Sequence, residues 1–163
     1  MVHAMSDALP PCGLYLTRDA IGEIPAGRLV YFHNHGDPGP GLYLPTSWRG
    51  NRARFEARGH LLPSPDVVAD LEPLEPEGFY RVIEAFDCCD KHCQRFEPDS
   101  LVQLGYDASG RAILFTPEWI DSHLAVPDRG ARVDRARIAA LARLKVRTSS
   151  APVHDDDEGV LLH

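Results

Sequence analysis

The sequence lacks the features that would assign it to several large classes of protein. No segment approaches the roughly 18 apolar residues of a membrane-spanning helix, and residues 1–11 contain no apolar run typical of a signal peptide. Only four cysteines are present, and two of them are adjacent, so a disulfide framework is not expected. These absences predict a reduced, cytoplasmic protein without a membrane segment.

Catalytic signatures are missing as well. The chain has no Ser/His/Asp constellation, no P-loop and no GxGxxG motif. The glutamates Glu72 and Glu75 fall in a proline-rich stretch, and a solvated loop does not give the burial that a tuned general acid or base needs. We therefore predict that the protein is not an enzyme.

The charge is acidic overall and unevenly distributed. The net charge is −7, and residues 1–130 hold 11 basic and 19 acidic residues, a balance of −8. Residues 131–147 hold six basic residues and one acid, whereas residues 148–163 hold four acids and no lysine or arginine. An acidic chain is a poor binder of nucleic acid. The expected partner is another protein, and the oligomeric state is left open.

The clearest feature that is present is an internal repeat. The matched pairs are 29–32 with 101–104, 42–45 with 114–117, Trp48 with Trp119, Phe55 with Val126, and Arg58-Gly59 with Arg129-Gly130. The last three pairs share an offset of 71 residues. A shared offset predicts a tandem duplication in which the two tryptophans occupy equivalent positions. The 14 prolines and 13 glycines favour short strands joined by turns over a helical bundle.

We predict an all-β fold, a tandem duplication of a small SH3-like barrel or β-meander unit. Units of about 50 to 60 residues are marginal alone, so the two should share a core, either side by side or interleaved in one barrel or sandwich. The predicted segments are a disordered lead-in (1–11), the first β repeat (12–60), a proline-rich connector (61–77), the second β repeat (78–131), a basic amphipathic helix (132–147) and an acidic disordered tail (148–163).

Two helices are predicted within this β framework. The second repeat has eight extra residues, and apolar residues recur there at steps of 4, 3, 4 and 3, which is typical of a helical insertion over about 82–96. These residues are Val82, Phe86, Cys89, Cys93 and Phe96. The alanine-rich segment over about 133–146 carries Ile138, Leu141 and Leu144 at spacings of three and predicts a C-terminal α-helix.

A cysteine-rich cluster falls in the predicted insertion. Cys88 and His92 are four residues apart, as are Cys89 and Cys93, and on a helix such pairs lie about one turn apart. Thiolate and imidazole are zinc ligands, so these four residues predict a metal or redox site with zinc as the candidate cofactor. Alternatively, Cys89 and Cys93 are buried as small hydrophobic residues on the apolar stripe.

A second candidate metal site follows the apolar run 29–32. The segment His33-Asn34-His35-Gly36-Asp37-Pro38 resembles the metal-binding stretch of the JAMM metallopeptidases, and the RadC family in particular, in which a strand ends in His-Asn-His. The resemblance implies a zinc-dependent hydrolase in which His33 and His35 hold the metal. The internal repeat gives another interpretation, a hairpin loop whose second copy, 105–110, has no histidine.

A cationic strand supplies a candidate binding surface. In residues 52–58, small apolar residues alternate with charged ones, which predicts a strand with an outward cationic face. With the residues just before it, this face comprises Trp48, Arg49, Arg52, Arg54 and Arg58. Arginines beside an aromatic ring can bind an acidic partner; alternatively, they pair with acids on a neighbouring strand. The sequence thus favours a non-enzymatic protein-binding or regulatory module over a metal- or redox-responsive protein and a zinc hydrolase.

Overall fold

The computed structural model describes residues 9–35 and 39–149, and this part of the chain is β-rich. Its first half comprises β1 (Gly13–Thr17), β2 (Leu29–His33), β3 (Gly41–Tyr43), β4 (Pro45–Arg49), β5 (Arg52–Phe55), β6 (His60–Leu61), a 3₁₀ helix (Pro65–Asp70) and β7 (Leu71–Pro73). Its second half comprises β8 (Gly78–Val82), β9 (Phe86–Asp87), β10 (Arg95–Phe96), β11 (Leu101–Tyr106), β12 (Ala112–Phe115), β13 (Glu118–Ile120), β14 (His123–Ala125), β15 (Ala131–Arg132), a 3₁₀ helix (Arg135–Ala140) and β16 (Leu141–Arg143). The predicted disorder at 1–8 and 150–163, and residues 36–38 of the histidine segment, lie outside the described residues.

Two five-stranded antiparallel sheets dominate, and their strand orders correspond. The first is β6-β3-β2-β1-β7 and the second is β15-β12-β11-β8-β16. In each sheet the strand that follows the 3₁₀ helix returns to pair with the first strand of its half, so that Leu71 lies opposite Thr17 and Leu141 opposite Val82. Neither sheet closes into a barrel within the described ranges, so the predicted barrel form is not seen.

Each half also carries a separate two-stranded hairpin, β4–β5 in the first and β13–β14 in the second. Trp48 lies opposite Ala53 in one hairpin, and Trp119 lies opposite Leu124 in the other. Both tryptophans are exposed, Trp48 by 42% and Trp119 by 76%. Trp48 and Trp119 therefore lie in corresponding hairpins of the two halves.

The core consists of two hydrophobic clusters, one of which contains residues from both halves of the chain. The smaller cluster is centred on Val30, Phe32 and Leu42 of the first sheet. The larger cluster is built mainly from the second sheet, but it includes the fully buried Leu29, and Phe55 packs against it. Side chains of the first half thus help to fill the core of the second half, which joins the two sheets.

The predicted helical insertion over 82–96 is wrong, because this segment forms the β9–β10 hairpin. Phe86 pairs with Phe96 across the two strands, and their rings stack with centroids 5.0 Å apart. Apolar spacings of three and four are therefore compatible with a hairpin whose ends are held by an aromatic pair. The cysteines that suggested a helical stripe lie in the turn between the strands.

The predicted C-terminal α-helix over 133–146 is also wrong. Its first part is the 3₁₀ helix Arg135–Ala140, and its second part is strand β16, which pairs with β8. A short isolated α-helix is marginal even with several alanines, whereas the strand satisfies its backbone groups on the sheet and buries Leu141. Basic residues of this segment pair with acids elsewhere, as in the contact of 2.8 Å between Arg135 and Glu72.

The stretch 61–77, predicted as a proline-rich connector, belongs largely to the first sheet. It contains the end of β6, the first 3₁₀ helix and β7. Pro65 lies in the first turn of that helix, where its missing N–H leaves no helical hydrogen bond unmade. Pro73 lies at the end of β7, which is an edge strand. The prolines are thus placed where strands and turns tolerate them.

The tip of the β4–β5 hairpin lies directly on β11. The Asn51 side-chain amide donates to Gln103 Oε1 (3.0 Å), and the Gln103 amide donates to the Gly50 carbonyl oxygen (2.9 Å). A Cβ atom added at Gly105 would lie 2.7 Å from the Asn51 carbonyl oxygen. This separation is too short for any side chain, so Gly105 permits the docking of the hairpin.

We therefore expect Gly105→Ala to lower the free energy of unfolding by about 1–3 kcal/mol, the usual cost of inserting a methyl group into a packed contact. Urea titration of the full chain measures the change. Gly39→Ala serves as the control, because its Cβ would meet only the Leu61 side chain at 3.9 Å. Equal stability of the two variants would contradict the close approach of hairpin and strand.

Candidate functional site

The β9–β10 hairpin positions the cysteine cluster. The stacked rings of Phe86 and Phe96 fix the two strands at their open end. Beyond them, the Cys88 N–H donates to the Gln94 carbonyl oxygen at 2.8 Å and extends the pairing into the turn. His92 has a φ of 53°, in the left-handed region, which lets the chain reverse within a few residues. The turn residues are therefore drawn together.

Three thiols converge in this turn. The Sγ atoms of Cys88, Cys89 and Cys93 lie within 4.8 Å of one another, and those of Cys88 and Cys89 are 3.5 Å apart. In a tetrahedral zinc site with Zn–S bonds of about 2.3 Å, neighbouring sulfur atoms are about 3.8 Å apart. The three residues, here named the thiol knuckle, could therefore hold one metal ion. Cys88 is buried and Cys93 is exposed, so the knuckle lies at the surface.

The backbone of the turn affects the protonation of these thiols. A hydrogen bond from the Lys91 backbone N–H lowers the pKa of the Cys89 thiol, and the neighbouring Cys88 thiol adds to the effect. The pKa of Cys93 is raised, first by its hydrogen bond with Cys89 and then by the charge that Cys89 carries. Cys89 thus ionises before Cys93, and thiolate is the form that binds metals.

His92 was predicted as a fourth ligand, but the structure does not bring it to the thiols. Its Nδ1 atom lies 2.6 Å from Asp87 Oδ2, and the side chain is 69% exposed. Asp87 also lies 3.8 Å from Arg95 of the facing strand. His92 therefore belongs to an ion-pair group on the outside of the hairpin.

A second cluster forms where β1 and β2 meet. Gly13 lies opposite Phe32 in the antiparallel ladder, so the residue before β1 comes to the end of β2, where His33 lies. That residue is Cys12, which no local sequence motif marks as a ligand. Its Sγ atom lies 3.4 Å from His33 Nδ1 and 3.6 Å from His35 Nδ1. Both histidines of the predicted metal segment thus converge on a cysteine that lies 21 residues before the first of them.

The cationic face lies on the β4–β5 hairpin and just beyond it. Arg49, Arg52, Arg54 and Arg58 are all exposed. Among the described residues, none of the ion pairs within 4.0 Å involves any of the four. The alternative that they pair with acids on a neighbouring strand is therefore not seen in this part of the chain.

Trp48 differs from these arginines, because it anchors the hairpin to the second half. Its indole N–H donates to the Tyr106 carbonyl oxygen at 2.8 Å. The Asn51 side chain adds a contact of 2.9 Å to the Pro127 carbonyl oxygen. The predicted binding residues thus divide into an anchoring tryptophan and a set of exposed cations.

A buried carboxyl group lies under the same hairpin. Glu77 is 8% exposed, and its Oε2 atom accepts the Ala53 N–H at 3.0 Å. Burial raises the pKa of Glu77, and this effect outweighs the opposing effects of the hydrogen bond and of Arg52 and Arg54. The Glu77 carboxyl group is therefore protonated more readily in the folded protein than in the unfolded chain.

We expect Glu77→Gln to be more stable than the wild type at neutral pH. A carboxyl group with a raised pKa stabilises the fold below its unfolded pKa of about 4.3, and that contribution is lost as pH rises through the folded pKa. The amide of the variant does not ionise and can still accept the Ala53 N–H. Urea unfolding at several pH values should show an advantage at pH 7 that shrinks as the solution is acidified. Glu84→Gln, at an exposed site, should show no such pattern, and an advantage independent of pH would contradict the burial argument.

Comparisons of this chain with protein-family models, with curated proteins and with solved structures found no significant match. No helix in the described ranges combines the length and the apolar composition needed to span a membrane.

Proposed function

We propose that the protein is a non-enzymatic, metal-responsive regulatory module, built as a tandem duplication of an SH3-like β unit, in which the thiol knuckle holds a zinc ion. The observation that carries the proposal is the convergence of three thiols within 4.8 Å in one turn. Thiolates are zinc ligands, and a set of three leaves the fourth tetrahedral position for a water molecule or another ligand.

The duplication is supported by correspondences beyond the strand order. Tyr15, in β1, donates its hydroxyl hydrogen to the Pro11 carbonyl oxygen at 2.7 Å. Tyr80, in β8, donates in the same way to the Pro76 carbonyl oxygen at 2.6 Å. Each tyrosine bonds the proline four residues before it, so the two halves begin with the same local structure. Both then end with a 3₁₀ helix followed by a strand that pairs with the first strand.

The position of the thiol knuckle supports a regulatory role. The knuckle lies on an insertion that the first half lacks, so the two sheets do not need it for their own pairing. It nevertheless contacts the 3₁₀ helix that leads into β16. The Asp134 N–H donates to the Cys88 carbonyl oxygen at 3.1 Å, and Arg137 lies 3.4 Å from Asp90.

These contacts connect the metal to the second sheet. β16 is an edge strand, held by its pairing with β8 and by the hydrogen bond of 2.7 Å from the Ile83 N–H to the Ala140 carbonyl oxygen. A metal that orders the turn would stabilise the helix and this strand, and its loss would loosen them first. The proposed response to metal is thus that β16, at the edge of the second sheet, becomes more ordered when the metal binds and less ordered when it is lost.

The first test is the zinc content of protein purified without an affinity tag, measured by elemental mass spectrometry. Cys89→Ser/Cys93→Ser should hold one zinc ion per chain fewer than the wild type, because two of three thiolates are lost. His92→Ala is the matched control and should hold as much zinc as the wild type, because His92 faces Asp87. Equal zinc in the wild type and the cysteine variant would refute the knuckle site.

A second candidate function is the binding of an acidic partner protein to the exposed arginines on the β4–β5 hairpin and just beyond it. The observation that favours it is that Arg49, Arg52, Arg54 and Arg58 have no ion-pair partner among the described residues, although the chain as a whole is acidic. Guanidinium groups form paired hydrogen bonds with carboxylates, which gives geometric selectivity.

For this function we expect Arg52→Gln/Arg54→Gln to lose the partner that wild-type protein retains in affinity capture followed by mass spectrometry. Affinity should fall at least about tenfold if two charge-assisted contacts are removed. Lys145→Gln/Arg147→Gln removes the same charge elsewhere and should retain the partner. Thermal unfolding of both variants checks that the hairpin remains folded, and equal retention by both would exclude the arginine face.

A further inference from the structure

The contacts of Cys12 point to a ligand that the thiol knuckle does not account for. Cys12 lies just before β1, His33 is the last residue of β2, and His35 follows in the bend after that strand. The bend at Asn34 and His35 turns the chain so that His33 and His35 share one target. Their rings lie 4.2 Å apart, centroid to centroid, and the Nδ1 atoms of both face the Cys12 sulfur.

We propose that Cys12, His33 and His35 form a second zinc site, separate from the thiol knuckle. All three side chains offer ligand atoms within 4.8 Å of one another. Zinc takes both sulfur and imidazole nitrogen, and sites with three protein ligands complete a tetrahedron with a water molecule or a small anion.

The distances fit a single zinc ion. With a Zn–S bond of about 2.3 Å, a Zn–N bond of about 2.05 Å and tetrahedral angles, the sulfur and nitrogen atoms of one site are about 3.6 Å apart. The two sulfur-to-nitrogen distances are 3.4 Å and 3.6 Å. The ligands would therefore need only small adjustments to bind the ion.

Asn34 holds this arrangement in place. Its backbone N–H donates to the Cys12 sulfur at 3.3 Å, and its side-chain amide donates to the Pro10 carbonyl oxygen at 3.1 Å. Its Oδ1 atom then lies 3.2 Å from the Cys12 sulfur and 2.7 Å from His35 Nδ1. Without a metal, Oδ1 accepts hydrogen bonds from the thiol and the imidazole. Zinc binding would release the thiol proton to solvent and would require the imidazole proton of His35 to lie on Nε2.

The site is open to solvent. His35 is exposed, and Cys12 and His33 are half-buried. Cys12 also borders a groove of about 510 Å³ whose walls include Tyr31 and Arg52. Metal ions and small anions can therefore reach the three ligands without any movement of the core.

Cobalt(II) tests the proposal on the full chain, because it occupies zinc sites and its absorption bands report thiolate ligands and tetrahedral geometry. The wild type should bind two ions. Cys12→Ser should remove one ion and about one quarter of the thiolate-to-cobalt charge-transfer intensity, since one of four ligating thiolates is lost. His35→Ala, which changes an exposed side chain, should remove the same ion, so the result does not depend on how Cys12→Ser folds. His123→Ala, at an exposed histidine of the β13–β14 hairpin, should retain both ions.

The outcomes separate this site from the thiol knuckle. One bound ion that survives in Cys12→Ser and His35→Ala, and disappears in Cys89→Ser/Cys93→Ser, would overturn the second site and leave the knuckle intact. One bound ion that disappears in Cys12→Ser and His35→Ala, and survives in Cys89→Ser/Cys93→Ser, would support the second site and refute the knuckle. No bound ion in the wild type would overturn both.

Discussion

The register of antiparallel backbone pairing is the constraint on which both cysteine clusters depend. A slip of one residue would carry every side chain of a strand to the opposite face. Pairing of Gly13 with Phe32 brings the residue before β1 to the end of β2, and pairing of Phe86 with Phe96 leaves the three knuckle cysteines in the turn that follows. The hydrogen bonds that build the sheets therefore also determine the distances between the ligand atoms.

The two halves share their strand order but differ in what they contact. The hairpin of the first half is fixed to β11 through Trp48 and Asn51, and a glycine in β11 makes room for it. In the hairpin of the second half, Trp119 is 76% exposed. The two clusters also lie on different segments, one at the β1–β2 ladder and the other on the insertion between β8 and β11. The two sheets thus share a strand order, and the two halves carry different side-chain chemistry.

Strands could be predicted from the sequence where a local pattern specified them. Where the structure or a ligand depended on pairing with a distant strand, the sequence alone was not enough. The alternation in 52–58 located β5, and the echoed apolar runs located β2, β3, β11 and β12. The segments 82–96 and 133–146 have helical spacings, but pairing with a distant strand decided their structure. Cys88, Cys89 and Cys93 were found because they lie within six residues, whereas Cys12 was missed because a ladder, rather than a local motif, brings it to His33.

The different environments of the two tryptophans give the protein a built-in pair of optical reporters. The Trp48 indole is hydrogen-bonded across the contact between the two halves, and the Trp119 indole faces solvent. Fluorescence from Trp48 is therefore sensitive to separation of the first hairpin from β11, while that from Trp119 provides a nearly constant background. The contact between the first hairpin and β11 can thus be followed without attaching a dye.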